Sequence, residues 1–280
     1  MKNRKSKEDI LLEARIKSLY NSFQHFIGFT YMPKLEIKLV SLEDRMESIL
    51  RITFSNIKML PDGTALLETL RENPKIMGDG LDAHYYHEFT HIYDNVKIKS
   101  DFGLDEGSYT KLYTEFHAEQ VSLKKALGFS AENENKKVSL SDNIKIIAQF
   151  DNVSKPLSFG DYIMHLTNKL KSNITECVKM YEEEKNTDKN GAMLGLFRTL
   201  LNSSLYYFAT ADFARKYCVE SIDEIDNLLD INMYDDYLGK RLQETYVILS
   251  KGAYTKDSFL LLFDMLNHIM QDFTIYANKA

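Results

Sequence analysis

Five consecutive residues, His87-Glu88-Phe89-Thr90-His91, have the types and the spacing to carry out a hydrolysis. On a helix, residues four apart sit one turn above each other on the same face, so His87 and His91 present two imidazoles to one ion. Two neutral nitrogen donors suit Zn²⁺. The carboxylate of Glu88, beside the first histidine, then takes the proton of a water whose pKa such an ion lowers to ~7. The competing reading of the same five residues is a solvated or half-buried histidine pair with no metal.

A catalytic zinc asks for a third protein ligand and an open fourth position. A third histidine in the metzincin pattern needs Gly and His after His91, and Ile92-Tyr93-Asp94-Asn95-Val96-Lys97 has neither. The other common solution is a glutamate on a second helix. Residues 108–123 read as that helix: Leu112, Phe116 and Leu123 carry the apolar spacing, and Gly128 is a natural stop. Glu115 and Glu119 lie one turn apart on it, so one can ligate while the other hydrogen-bonds a ligand histidine. Two solvated carboxylates would give the same spacing. His84, His87, His91 and Asp94 share one helical face. His84, a turn before the pair, suits the rim or a supporting place beside the ligands better than a place as an extra ligand, and Asp94 either orients a ligand imidazole or is an exposed helix-end charge. His117, two positions after Glu115, is turned about 200° away from the metal face. Tyr109 and Tyr113 are candidates for stabilising an oxyanion, against ordinary packing in a chain of 17 tyrosines.

Glu115-Phe116-His117-Ala118-Glu119 resembles the E-x-x-A-[DEN] motif that follows HExxH in the glutamate-zincin (gluzincin) metallopeptidases. The compact layout is similar to the ImmA/IrrE-type family of phage and mobile-element proteins, whose members cut repressor proteins. The EFxAE wording is also similar to the catalytic domain of anthrax lethal factor. The resemblance covers roughly residues 80 to 128. It implies zinc on His87, His91 and Glu115, Glu88 as general base, and Glu119 supporting a histidine from outside the ligand set. It also implies a sheet edge beside the active-site helix that pairs with an extended protein or peptide substrate.

The elements that position these residues are legible in outline. Ser6 can cap a first helix with Asp9 three residues on, and Leu12, Ile16, Leu19, Phe23 and Phe26 form one stripe before Gly28. Leu35 to Leu39 alternate as a half-buried strand, and Leu50 to Ser55 alternate likewise, with a possible continuation to Met59. Pro61-Asp62-Gly63 is a turn; residues 64–70 fit either a short helix or a third strand. Asn73-Pro74 and Gly78-Asp79-Gly80 break the chain before the HExxH helix, which Asp79 or Asp82 can cap. From Ser130 to Lys137 the chain turns polar, as at a boundary. Beyond it, helical patterns run near 159–184, 192–217, 233–250 and 256–276, the last with a stripe of Phe259, Leu262, Phe263, Leu266 and Met270. The expected fold is α+β: a catalytic domain over 1–130 with a small sheet, and a helical domain over 131–280.

Composition sets bounds on function. A hydrophobic share of 44% with 27% charged residues is that of a soluble globular protein. A net charge of −6 argues against broad nucleic-acid binding. No apolar run approaches the ~20 residues of a membrane span, and no signal-like block follows the start, so a cytoplasmic setting is expected. Two cysteines, Cys177 and Cys218, fit reduced, buried thiols. The function expected is a zinc endopeptidase acting on an intracellular protein, with a regulator as one candidate. Its rivals are a zinc-containing binding protein on a peptidase-like fold and a metal-free helical interaction protein.

Overall fold

The computed structural model describes residues 6–43, 54–104, 110–145, 157–184, 190–229, 237–252 and 254–279. The fold is α+β, with one small three-stranded sheet, one two-stranded sheet, and helices through the C-terminal half. Contacts group the chain into two compact units. The first comprises Met1–Lys97, Val121–Lys136 and Lys145–Pro156; the second comprises Ile98–Gln120, Lys137–Ile144 and Leu157–Ala280.

In the first unit, helix α1 (Lys7–Ile27) starts on the anticipated capping box. Ser6 Oγ accepts from the Asp9 amide at 3.0 Å, and Asp9 Oδ2 accepts from the Ser6 amide at 3.4 Å. The helix ends where Gly28 takes φ 63°, a left-handed conformation that costs a glycine little. Strands β1 (Leu35–Val40), β2 (Ser55–Met59) and β3 (Ala65–Leu70) form the sheet, with β3 in the centre, parallel to β1 and antiparallel to β2.

The ambiguous segment at 64–70 is therefore a strand, and its burial shows why. Ala65, Leu67 and Thr69 are fully buried on one face, while Glu68 on the other bonds its cross-strand partner Lys38 at 2.6 Å. The second strand occupies the possible continuation, Ser55 to Met59; residues 50–53 of the expected strand lie outside the described residues.

Helix α2 (Asn73–Met77) carries Pro74 in its first turn, and a 3₁₀ turn at Gly78–Gly80 leads into helix α3 (Leu81–Phe102). Asp79 falls within that 3₁₀ turn. Asp82 sits in the first turn of α3 and accepts from Arg15 at 2.8 Å. No proline or glycine interrupts α3, and Gly103 stops it at φ 68°. Leu81, Tyr85, Phe89 and Ile92 recur at three and four and are all buried, so one face of α3 builds the core of this unit. Tyr20 and Phe23 of α1 meet Phe89 edge-on, at centroid separations of 5.0 and 5.7 Å. Cutting Phe89 to Ala would cost about 3–5 kcal/mol.

Helix α4 (Lys111–Ala126) has the expected Leu112, Phe116 and Leu123 buried, and Gly128 takes φ 74° just past its end. Further along, β4 (Asn143–Ile144) pairs antiparallel with β5 (Leu157–Ser158), two strands too short to leave a period in the sequence. Helices α5 (Phe159–Glu184) and α6 (Asn190–Tyr217) follow, and Phe159 meets Phe213 edge-on at 5.8 Å. Helix α7 (Ile222–Leu229) was not anticipated, although its start carries a signal: the Glu224 amide donates to Ser221 Oγ, and the Ser221 amide to Glu224 Oε2. Helix α8 (Tyr237–Ser250) lies within the expected 233–250, and α9 (Lys256–Lys279) runs past the expected 276.

On α9 the buried arc is centred on Leu262: Phe259, Leu262, Met265, Leu266 and Ile269 are buried, while Met270 is 42% exposed. Three of the five expected residues, Phe259, Leu262 and Leu266, lie in this arc, which is turned about 50° around the helix from the expected stripe. Cys218 is a buried thiol, and the side chain of Cys177 lies outside the described residues. Among the described residues, no helix is long and apolar enough to cross a membrane.

Candidate metal centre

The face of α3 opposite its core side carries His84, His87, His91 and Asp94. Because Tyr85 and Phe89 commit one side of the helix to the core, residues two positions from each are turned about 200° away from it. His87 and His91 are thereby presented together, with ring centroids 5.0 Å apart and planes at 77°. Glu115 of α4 completes the group: one ligand atom each from His87, His91 and Glu115 lie within 4.8 Å of one another. Tetrahedral zinc, with bonds near 2.0–2.1 Å, places its donors ~3.3 Å apart. The three atoms are grouped closely enough that they could hold one metal ion. Glu88 is half-buried beside the first histidine, and its charge is one of the lesser influences on the phenol of Tyr85, which is raised chiefly by burial.

The electrostatics of Glu115 explain how a carboxylate only 6% exposed is kept here. Burying a charge is costly without partners. Lys111, one turn earlier on α4, forms an ion pair with Oε1, and the Tyr206 hydroxyl of α6 donates to Oε2 at 3.2 Å. Glu119, the second motif carboxylate, is 5% exposed and accepts from the Tyr162 hydroxyl of α5 at 2.8 Å. Tyr162's own phenol is pushed well above its ordinary value, first by burial and then by the charge of Glu119. Both motif glutamates are thus held by phenols from the helical half of the chain.

His84 is part of a different network. Its Nε2 is 2.8 Å from Ser55 Oγ on β2, and Ser55 Oγ is 2.8 Å from Thr69 Oγ1, to which Asn73 Nδ2 also donates at 2.8 Å. Burial, with a lesser contribution from His87, pulls the His84 imidazole down to about 3, so the ring is neutral at ordinary pH. Its partner is the sheet, which fits a rim position better than ligation. Asp94 is fully buried, which removes the reading of an exposed helix-end charge.

Comparison with family models, with curated proteins and with solved structures finds no match. What the centre can do therefore rests on its own residues.

The two proposed oxyanion stabilisers fare differently. Tyr109 lies outside the described residues. Tyr113 is two positions from Glu115 on the helix, and its ring packs against Phe259 at 5.2 Å, His117 at 5.5 Å and Tyr254 at 5.8 Å. His117 accompanies it on that side of α4. The residues that the sequence did not single out are Lys111, Tyr162 and Tyr206. Lys111 precedes Glu115 by one turn, a spacing visible in the sequence. The tyrosines gave no signal, since Leu205-Tyr206-Tyr207-Phe208 has the look of an ordinary core stripe.

Proposed function

We propose that this chain is a zinc-dependent endopeptidase of the gluzincin kind, acting in the cytoplasm on a protein substrate. The observation that carries the reading is the convergence of His87, His91 and Glu115, with Glu88 next to the first ligand. Two imidazoles, one carboxylate and a position left for water make up the donor set of catalytic zinc rather than of a closed structural site. Zinc bound there would supply a Lewis acid that acidifies water and polarises the scissile carbonyl. Glu88 takes the proton of the attacking water at its carboxylate and hands it to the leaving amine. Glu115 supplies the ligand charge, and its bonds to Lys111 and Tyr206 keep that charge in place without solvent.

Strand β2 supports a peptide as the substrate. It is one edge of the three-stranded sheet, and Ser55 ties it to His84 on the face of α3 that bears the metal ligands. An extended chain pairing with an edge strand gains main-chain hydrogen bonds irrespective of its sequence. The resemblance to the ImmA/IrrE-type family makes a regulatory protein the favoured target.

Glu88→Gln tests the mechanism. It keeps the shape of the side chain and removes the base, so the variant should bind as much zinc as the native chain and lose at least about 10²-fold in cleavage rate. Cleavage at the native rate by the zinc-loaded variant would rule out Glu88 as the base.

A further inference from the structure

Among the described residues, Tyr162 and Tyr206 place their hydroxyls on the two motif glutamates. Tyr206 lies 91 positions after Glu115, and Tyr162 lies 43 positions after Glu119. No local spacing produces these pairs; the packing of α5 and α6 does. Their neighbours make the contrast. Tyr207, adjacent to Tyr206, gives its hydroxyl to the Leu229 carbonyl at the end of α7, a bond that serves the helix packing. Tyr113, the nearest described tyrosine to Glu115 along the chain, spends its ring in an aromatic cluster. Tyr206 is the least of the influences that raise the Tyr162 phenol, after burial and Glu119.

A carboxylate offers two oxygens and about four lone-pair sites, and a metal takes one of them. What fixes the plane of the group is whatever holds the rest. Lys111 is a weak candidate for that task, because its side chain is 45% exposed and its flexible stem permits many geometries. Tyr206 is a strong one, since a phenol has only two side-chain torsions and this one rides on a long helix.

We propose that Tyr206 is a positioning residue of the metal centre, holding Glu115 in its ligating orientation, and that Tyr162 holds Glu119 in the same way. Helices α5 and α6 then carry the outer hydrogen bonds of the site. The inference rests on the metal reading above and extends it to the half of the chain that the HExxH and E-x-x-A-E motifs do not reach.

The test uses the full-length chain and metal alone. Zinc affinity is measured by competition with a chromophoric chelator, and the visible spectrum of the Co²⁺-loaded protein is recorded, for native protein, Tyr206→Phe and Tyr207→Phe. Tyr206→Phe should weaken zinc about 10-fold or more and shift the Co²⁺ bands, as loss of a bond to a ligand does. Tyr207→Phe, which removes the neighbouring hydroxyl, should leave both unchanged. Native affinity and native bands in Tyr206→Phe would overturn the proposal, as would equal losses in both variants. If Tyr206→Phe fails to fold, 3-fluorotyrosine at position 206 replaces it. That residue keeps the hydroxyl and strengthens it as a donor, so unmoved Co²⁺ bands overturn the proposal equally. Failure of the native chain to bind either metal would fell the metal reading itself and this inference with it; failure confined to the position-206 variants fells only the inference.

Discussion

The hydroxyl of Tyr162 donates to Glu119 Oε1 at 2.8 Å, joining two side chains that are both nearly closed to solvent. A buried carboxylate stripped of a donor bears the cost of its own desolvation. Tyr162→Phe should therefore destabilise the chain by about 1–3 kcal/mol, read from urea unfolding, without changing the dependence on denaturant. Because Glu119 is outside the proposed ligand set, the variant should still bind one zinc. An unchanged urea midpoint would mean that Glu119 finds another partner at no cost.

The ligand assignment makes a sharper prediction about metal content. His87→Ala and Glu115→Ala each remove a member of the three-residue group, whereas His117→Ala removes a histidine that packs beside Tyr113. Elemental analysis should find about one zinc per chain in the native protein and in His117→Ala, and little in the other two. Added zinc at 100 times its Kd should raise native stability by about 2.7 kcal/mol and leave Glu115→Ala where it was. Zinc retained by Glu115→Ala would take the glutamate out of the ligand set.

Ser55 joins the sheet edge to α3 through His84, and its hydroxyl also contacts Thr69 and receives a longer bond from Asn73. Ser55→Ala leaves several polar groups short of a partner in a closed environment, a loss of about 1–3 kcal/mol. It should keep its zinc, because none of the three ligands is touched. If β2 receives the substrate, the same variant should raise KM more than it lowers kcat for whatever peptide is cut. A fall in kcat alone would place His84 in the chemistry instead.

Local signals carried much of this fold. The capping box at Ser6, the alternation from Leu35 and the four-residue histidine spacing are each set by neighbours along the chain, and each appears where it was expected. Residues 64–70 were undecidable because Ala-Leu-Leu-Glu-Thr-Leu suits a helix by propensity. Only pairing on both sides, by β1 and β2, makes it the central strand. The phase of α9 shifted because burial follows the partner surface, and an apolar stripe wider than the contact does not say which of its edges is covered. Helix α7 had a visible cap but only eight residues, too few for a period to stand out. The HExxH pair and Glu115 were readable as types at fixed spacing. Tyr162 and Tyr206 were not, since a hydroxyl that reaches a carboxylate across 43 or 91 positions leaves no trace in either local sequence.

Cys218 predicts a pH dependence that is separate from the proposed metal centre. Burial first, then the nearby charges of Glu220 and Asp142, push its thiol up to about 12, against an ordinary value near 9. The folded chain thus keeps a proton that the unfolded chain loses above about pH 9. The sign follows directly: the thiol's contribution is whole below pH 9 and is lost progressively as pH rises toward 12. Urea midpoints for the native chain should fall across that window. Cys218→Ala should begin from a lower midpoint, because a buried side chain has been cut back, but fall less steeply with pH. Parallel slopes for the two proteins between pH 9 and 11 would show that other groups, the buried tyrosines first among them, set the alkaline limit.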